Sequence, residues 1–142
     1  MSKIHVTDLE VGQVVSEQDL ELTRDTLVRY AGASGDFNPI HYRDDVAESV
    51  GLPGVLAHGM LTMGVANSVV ADWLGVSGFV AETRARFTRP VVVDPQAGAT
   101  LNVTATVATV DVDARRARVD VKVAVDGQTV LGRSQVFVEF NQ

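Results

Sequence analysis

Two polar islands break an otherwise apolar stretch of chain. The first is Gly35-Asp36-Phe37-Asn38-Pro39-Ile40-His41, which sets an acid, an amide and an imidazole within six residues of turn-forming backbone. A carboxylate beside an imidazole is an acid/base pair: one partner orients and charge-balances the ring while its other nitrogen faces a substrate. Asn38 has both donors and an acceptor with which to order either group. The same residues also make an ordinary turn. Pro39 forces Asn38 out of the helical region, and Asp and Asn favour turns without any chemistry. On residue types alone the two readings are level.

The second island, Ala57-His58-Gly59-Met60, stands at the head of an apolar run. If a helix begins there, the Gly59 N–H is one of its unpaired donors, with the helix dipole behind it. Having no side chain, Gly59 lets a ligand approach that N–H, which is how a developing oxyanion is held. Relief of crowding between helix and sheet is the simpler reading of this glycine alone. Thr62, one turn further on, is a candidate lining residue, although such hydroxyls commonly bond back to a carbonyl. Of the three histidines, His5 lies in a polar start and reads as a surface residue.

These islands need elements to hold them. Thr23 caps a helix carrying Leu27, Val28, Tyr30 and Ala31, which ends at Gly32-Ala33-Ser34-Gly35. A short helix covers Asp44 to Val50 and stops at Gly51. The run from Gly59 to Leu74 is apolar or small on nearly every face and reads as a buried helix closed by Gly75. Tyr30 and Trp73 fall at spacings that suit core or interface packing. Beyond residue 80 the period changes to two. Strands are expected over 82–93, from Leu101 to Val107, from Val119 to Val125 and from Val130 to Phe140, with Asp126-Gly127 as a hairpin turn. Consecutive strands joined by short turns make an antiparallel sheet, and one buried helix against it gives an α+β fold in a single domain over 1–142.

Composition sets the outer limits. The chain has 142 residues, 46% hydrophobic and 21% charged, enough to bury roughly 68–70% of its unfolded surface and too apolar for disorder. It has no Cys, which excludes a thiolate nucleophile and Cys-ligated metal sites. With only His41 and His58 available inside, no metal site is expected. A net charge of −6 gives no general attraction to nucleic acid or anionic membrane. Arg84, Arg86 and Arg89 are the local basic cluster, with Arg84 and Arg86 on one face by period two. The stretch from Val55 to Ala81 is broken by His58, Asn67 and Asp72 and by four glycines, so no membrane span is expected. No apolar leader follows the N-terminus, and the expectation is a cytoplasmic protein. A Gly-rich phosphate loop and a Gly-x-Ser-x-Gly elbow are both missing.

Taken together, the islands resemble a known pattern. Tyr30 to His41, then Ala47, Gly51-Leu52 and Ala57-His58-Gly59-Met60 are similar to the MaoC-like or (R)-specific enoyl-thioester hydratase family. That pattern reads S/T-G-D-x-N-P-hydrophobic-H, followed after about seventeen residues by His-Gly at the head of a long helix. Arg86-Phe87-Thr88-Arg89-Pro90 resembles the family's R-F-x-x-P strand, and the phrase His58 to Gly64 looks most like the HadB-type catalytic subunits of (3R)-hydroxyacyl-ACP dehydratases. The resemblance implies a hotdog fold, with a long central helix wrapped by an antiparallel sheet. It implies a dimer, homomeric or with a second hotdog subunit, and an acyl-CoA or acyl-ACP substrate with no further cofactor. By position, it makes His41 the base at the α-carbon, Asp36 the acid at the hydroxyl, Asn38 their organiser and Gly59 the oxyanion donor. His58, Thr62 and Arg86 become candidate substrate contacts. One departure is the stretch Val93 to Leu101, longer than the family's compact P-G-D-x-L turn.

Overall fold

The computed structural model describes residues 2–141. Five strands form one antiparallel sheet in the order β1-β3-β4-β5-β2: β1 (Val14–Leu22), β2 (Gly78–Phe87), β3 (Ala99–Asp111), β4 (Arg116–Val125) and β5 (Gln128–Phe140). Three helices precede β2: α1 (Arg24–Ser34), α2 (Asp44–Ser49) and α3 (Gly59–Leu74). α3 lies across one face of the sheet and touches all five strands. This is the hotdog arrangement.

The period-two segments behave as their patterns require. Leu101, Val103 and Ala105 of β3 and Val119, Val121 and Val123 of β4 are buried in one core with Leu61, Ala66, Val69, Val70 and Leu74 of α3, and Val107 is buried as its alternation requires. Each such Val or Leu contributes about 1.5–3 kcal/mol on burial. Asp126 and Gly127 both take positive φ, 50° and 76°, the two-residue turn whose twist matches the flanking strands. Thr23 caps α1 through a reciprocal pair with Thr26, and α3 runs from Gly59 to Leu74 as its apolar run predicts.

Two elements differ from the sequence expectation. β1 has no counterpart there, because only Leu20 and Leu22 of its nine residues carry an inward alternation. It is a strand because its backbone pairs with β3, from Val14 opposite Thr106 to Leu22 opposite Ala99. The strand expected over 82–93 is also two pieces. β2 starts earlier, at Gly78, and ends at Phe87. Pro90 has no N–H to give to a ladder, and the chain leaves the sheet there. Val92 instead bridges to Leu56, with Ala57 N–H donating to Val91 O at 2.9 Å and Val93 N–H to Val55 O at 2.9 Å.

The stretch Val93 to Leu101 closes on itself. Asp94 Oδ1 accepts from the N–H groups of Gln96 at 2.8 Å and Ala97 at 2.7 Å. Those bonds, Ala97's first, hold the Asp94 carboxyl below its ordinary range. Gly98 takes φ 69° with its Cα against Leu22 O, where a Cβ would stand at 2.5 Å.

Candidate active site

The first island is a sequence of nested caps. Gly35 ends α1 in the left-handed region at φ 75°. Ser34 Oγ accepts from Asp36 N–H at 3.1 Å, Asp36 Oδ1 from Asn38 N–H at 3.2 Å, and Asn38 Oδ1 from Ile40 N–H at 3.2 Å. The last bond caps a 310 turn over Pro39–His41. Asn38 therefore organises the loop through the backbone, and its side chain bonds neither the Asp36 carboxylate nor the His41 ring. The loop is tied to the rest by Leu56 N–H, which donates to Ile40 O at 3.1 Å.

His41 is buried, and its Nδ1 lies 2.7 Å from Leu56 O. A carbonyl only accepts, so Nδ1 carries the proton and neutral His41 presents a bare Nε2. Asp36 Oδ2 stands 3.9 Å from that Nε2, with the carboxylate half exposed. This corrects one expectation. The group that orients His41 is the carbonyl of Leu56, on the far side of the ring. Asp36 faces the same ring nitrogen that the Leu56 carbonyl leaves free.

Gly59 is the first residue of α3, and its N–H has no hydrogen-bond partner among the described residues. It lines, with His41, Thr62, Phe87, Arg89 and Val91, a cleft of about 320 Å³. The Phe87 ring lies over Gly59, 3.1 Å from where a Cβ would be. Thr62 is buried in this wall.

Other candidates stand elsewhere. His58 is 2% exposed and outside the cleft lining. Its ring stacks on His41 at 3.8 Å between centroids, with Tyr30 edge-on at 4.7 Å, and its Nε2–H donates to Asp36 O at 3.2 Å. Burial pushes its pKa down from 6.5. It packs behind His41 and does not line the cleft. Arg86 is exposed on β2 outside the cleft lining, and it shares the exposed face with Arg84 as period two predicts, because the register shift beside them places its extra residue in β5. Arg84 is held by Glu82 at 2.6 Å and lies over Phe137. Arg89 is the basic residue that reaches the cleft, with a bond to Gln128 Oε1 at 3.0 Å. Sequence reasoning missed the Leu56 carbonyl, which no side-chain pattern signals, and the place of Tyr30 behind His58.

Asp36, His41 and His58 bring one potential ligand atom each within 4.8 Å. The two imidazoles lie nearly parallel, at 22°, and each already spends a nitrogen on a backbone carbonyl. Stacked rings do not converge two lone pairs on one ion, so the donor set fits a metal poorly. Asp72, the acidic residue of α3, is exposed near its far end, 13 residues and roughly 20 Å from Gly59 along the axis. No helix among the described residues is long and apolar enough to cross a membrane.

Known proteins resemble the chain in sequence and in fold. Over 79 residues the chain is 37% identical to the 3-hydroxyacyl-thioester dehydratase X of Mycobacterium tuberculosis, covering 56% of this chain and 27% of that protein. Over 95 residues it is 30% identical to the (R)-specific enoyl-CoA hydratase of Rhodospirillum rubrum, covering 66% of this chain and 61% of that one. The chain thus spans only part of the length of either relative. A solved structure described as a MaoC-like dehydratase superposes with a TM-score of 0.90 at 32% identity, over 98% of this chain and 43% of the other. The MaoC like domain model matches residues 7–129, a span that runs from ahead of β1 into β5 and contains both polar islands, and the chain belongs to that family.

Proposed function

We propose that this chain is a (3R)-hydroxyacyl-thioester dehydratase, which in reverse is an (R)-specific enoyl-thioester hydratase of fatty-acid metabolism. The observation that carries the reading is the meeting of a bare His41 Nε2 and the Asp36 carboxylate at 3.9 Å, beside a cleft that also holds the unpartnered Gly59 N–H. Dehydration removes a weakly acidic α-proton and expels a poor leaving group, so it needs a base, an acid and an oxyanion donor at once. His41 Nε2 takes the α-proton. The Gly59 N–H stabilises the enolate-like thioester oxygen. As the C3–O bond breaks, Asp36, which in this direction starts in its protonated form, gives that proton to the departing hydroxyl, which leaves as water. The His41 imidazolium then returns a proton to the carboxylate to reset the pair. In hydration the carboxylate takes a proton from the adding water and the imidazolium returns one to the α-carbon.

The acyl group arrives on CoA or on the phosphopantetheine of a carrier protein, and no other cofactor enters. The working form is a dimer, with itself or with a second hotdog chain, in the cytoplasm. Two features support the dimer: β2 is an open sheet edge, and the cleft residue Phe87 remains exposed, as do Phe37 and Met60, the chain neighbours of Asp36 and Gly59.

The test is hydration of trans-2-butenoyl-CoA by the purified chain, beside Asp36→Asn and His41→Gln. A (3R) product is expected, with losses of roughly 10²–10⁴ in kcat for each variant at unchanged fold. Activity only on adding a hotdog partner identifies the heterodimer. Equal activity in the variants overturns the roles given to Asp36 and His41, and no activity in either setting overturns the reading in favour of an acyl-binding subunit.

A further inference from the structure

We infer that His58 is the positioning residue that holds acid, base and oxyanion donor in one geometry. It has three connections. Its Nε2–H bonds the main-chain carbonyl of Asp36 across 22 residues of sequence. Its ring stacks on His41 at 3.8 Å. Its backbone is the N-cap of α3, one bond from the Gly59 N–H. Tyr30 closes the remaining face edge-on, so the groups around His58 are Tyr30 from α1 and Asp36 and His41 from the loop.

The choice of histidine costs stability. His58 Nδ1 is buried with no hydrogen-bond partner, and an unpaired buried acceptor is unfavourable. A phenylalanine would fill the same slot without that atom. What only a donor at the Nε2 position supplies is the tie to Asp36, whose carboxylate is otherwise half exposed on a loop. Without the tie the loop is anchored through Ile40 and His41 alone, and the acid is free to drift from the base.

Two substitutions separate the two jobs. His58→Phe keeps a ring on His41 and removes the donor. His58→Gln returns a donor at nearly the Nε2 position and removes the ring. The inference rests on the hydratase reading only for its kinetic arm, so two readouts are taken on the full chain. The first is amide hydrogen exchange at Asn38 and His41, read by NMR. His58→Phe is expected to speed exchange at both while Tm is kept or raised, and His58→Gln is expected to restore protection. The second is hydration of trans-2-butenoyl-CoA, with His41→Gln as the control. His58→Phe is expected to lower kcat about 10–100-fold with KM little changed, the scale of a misplaced catalytic group, and His58→Gln to recover a large part. Exchange unaltered in His58→Phe overturns the inference whatever the activity. So does a His58→Phe enzyme with full kcat. A wild-type chain that is inactive both alone and with a hotdog partner, yet still shows the exchange pattern, refutes the hydratase reading and leaves the tie standing.

Discussion

At the scale of single residues, the site depends on atoms that are left without partners. His41 Nε2 is bare because the Leu56 carbonyl has taken the proton-bearing side of the ring. The Gly59 N–H is bare because it is the first of α3. This gives a substitution that removes a donor and keeps the helix. Proline is favoured at a first helical position, and His58 already has φ −59° and ψ 131°, the region a residue before proline must occupy. Gly59→Pro is therefore expected to fold with little change in circular dichroism, while kcat falls by about 10²–10³. The exposed Phe87 ring has room to turn away from the new atoms. His58 makes a separate prediction for stability. Burial depresses its folded pKa below 6.5, so below 6.5 the unfolded chain binds a proton that the folded chain refuses. The contribution is fully present above 6.5 and is lost as pH falls toward the folded pKa. Urea midpoints measured from pH 7.5 to 5 are expected to fall less steeply in His58→Phe than in the wild-type chain.

At the scale of elements, backbone contacts decide what pattern alone does not. β2 begins where Gly78 crosses β5 so closely that a Cβ would stand 2.1 Å from Glu139 O. Its φ of −179° is open to any residue, so the requirement is for space. Gly78→Ala must push two main chains apart, and a loss of about 1–3 kcal/mol is expected, read from the urea midpoint. A Gly78→Ala protein with an unchanged midpoint would mean that the β2–β5 register is looser than its pairing indicates. The helices α1 and α3 and the strands β3, β4 and β5 were legible because each buries a stripe that repeats at its own period. β1 was not, because its residues earn their place by pairing with β3 and only Leu20 and Leu22 mark an inner face. The division of 82–93 was only half legible: Pro90 announces a break, but not that Val92 will turn to Leu56.

At the scale of the whole molecule, charge and open edges set how the chain meets others. A net charge of −6 repels anions at a distance, so under the proposed function a cation at the cleft would offset that repulsion for an anionic acyl carrier. Arg89 is in that place, and Arg84 and Arg86 are not. Arg89→Ala is expected to raise KM for an enoyl-CoA roughly two- to fivefold with kcat unchanged, as suits one exposed charge. The corresponding enoyl-pantetheine, which lacks the CoA phosphates, should show no such change. A shift equal for both substrates would assign Arg89 to packing at the cleft mouth.

The sequence by itself determined the class of fold and which residues could do chemistry. Periodicity and caps are local properties, and the Asp36-to-His41 turn and the Gly59 helix start lie within a few residues of chain. It could not determine how those residues face one another. That His41 is oriented by Leu56 O, that Asp36 confronts the free nitrogen, that His58 lies behind both and that Arg89 replaces Arg86 at the cleft all depend on contacts between segments distant in sequence. Such contacts are made largely by backbone carbonyls and by bulges in register. Those features carry no residue signature, so only the folded chain decides them.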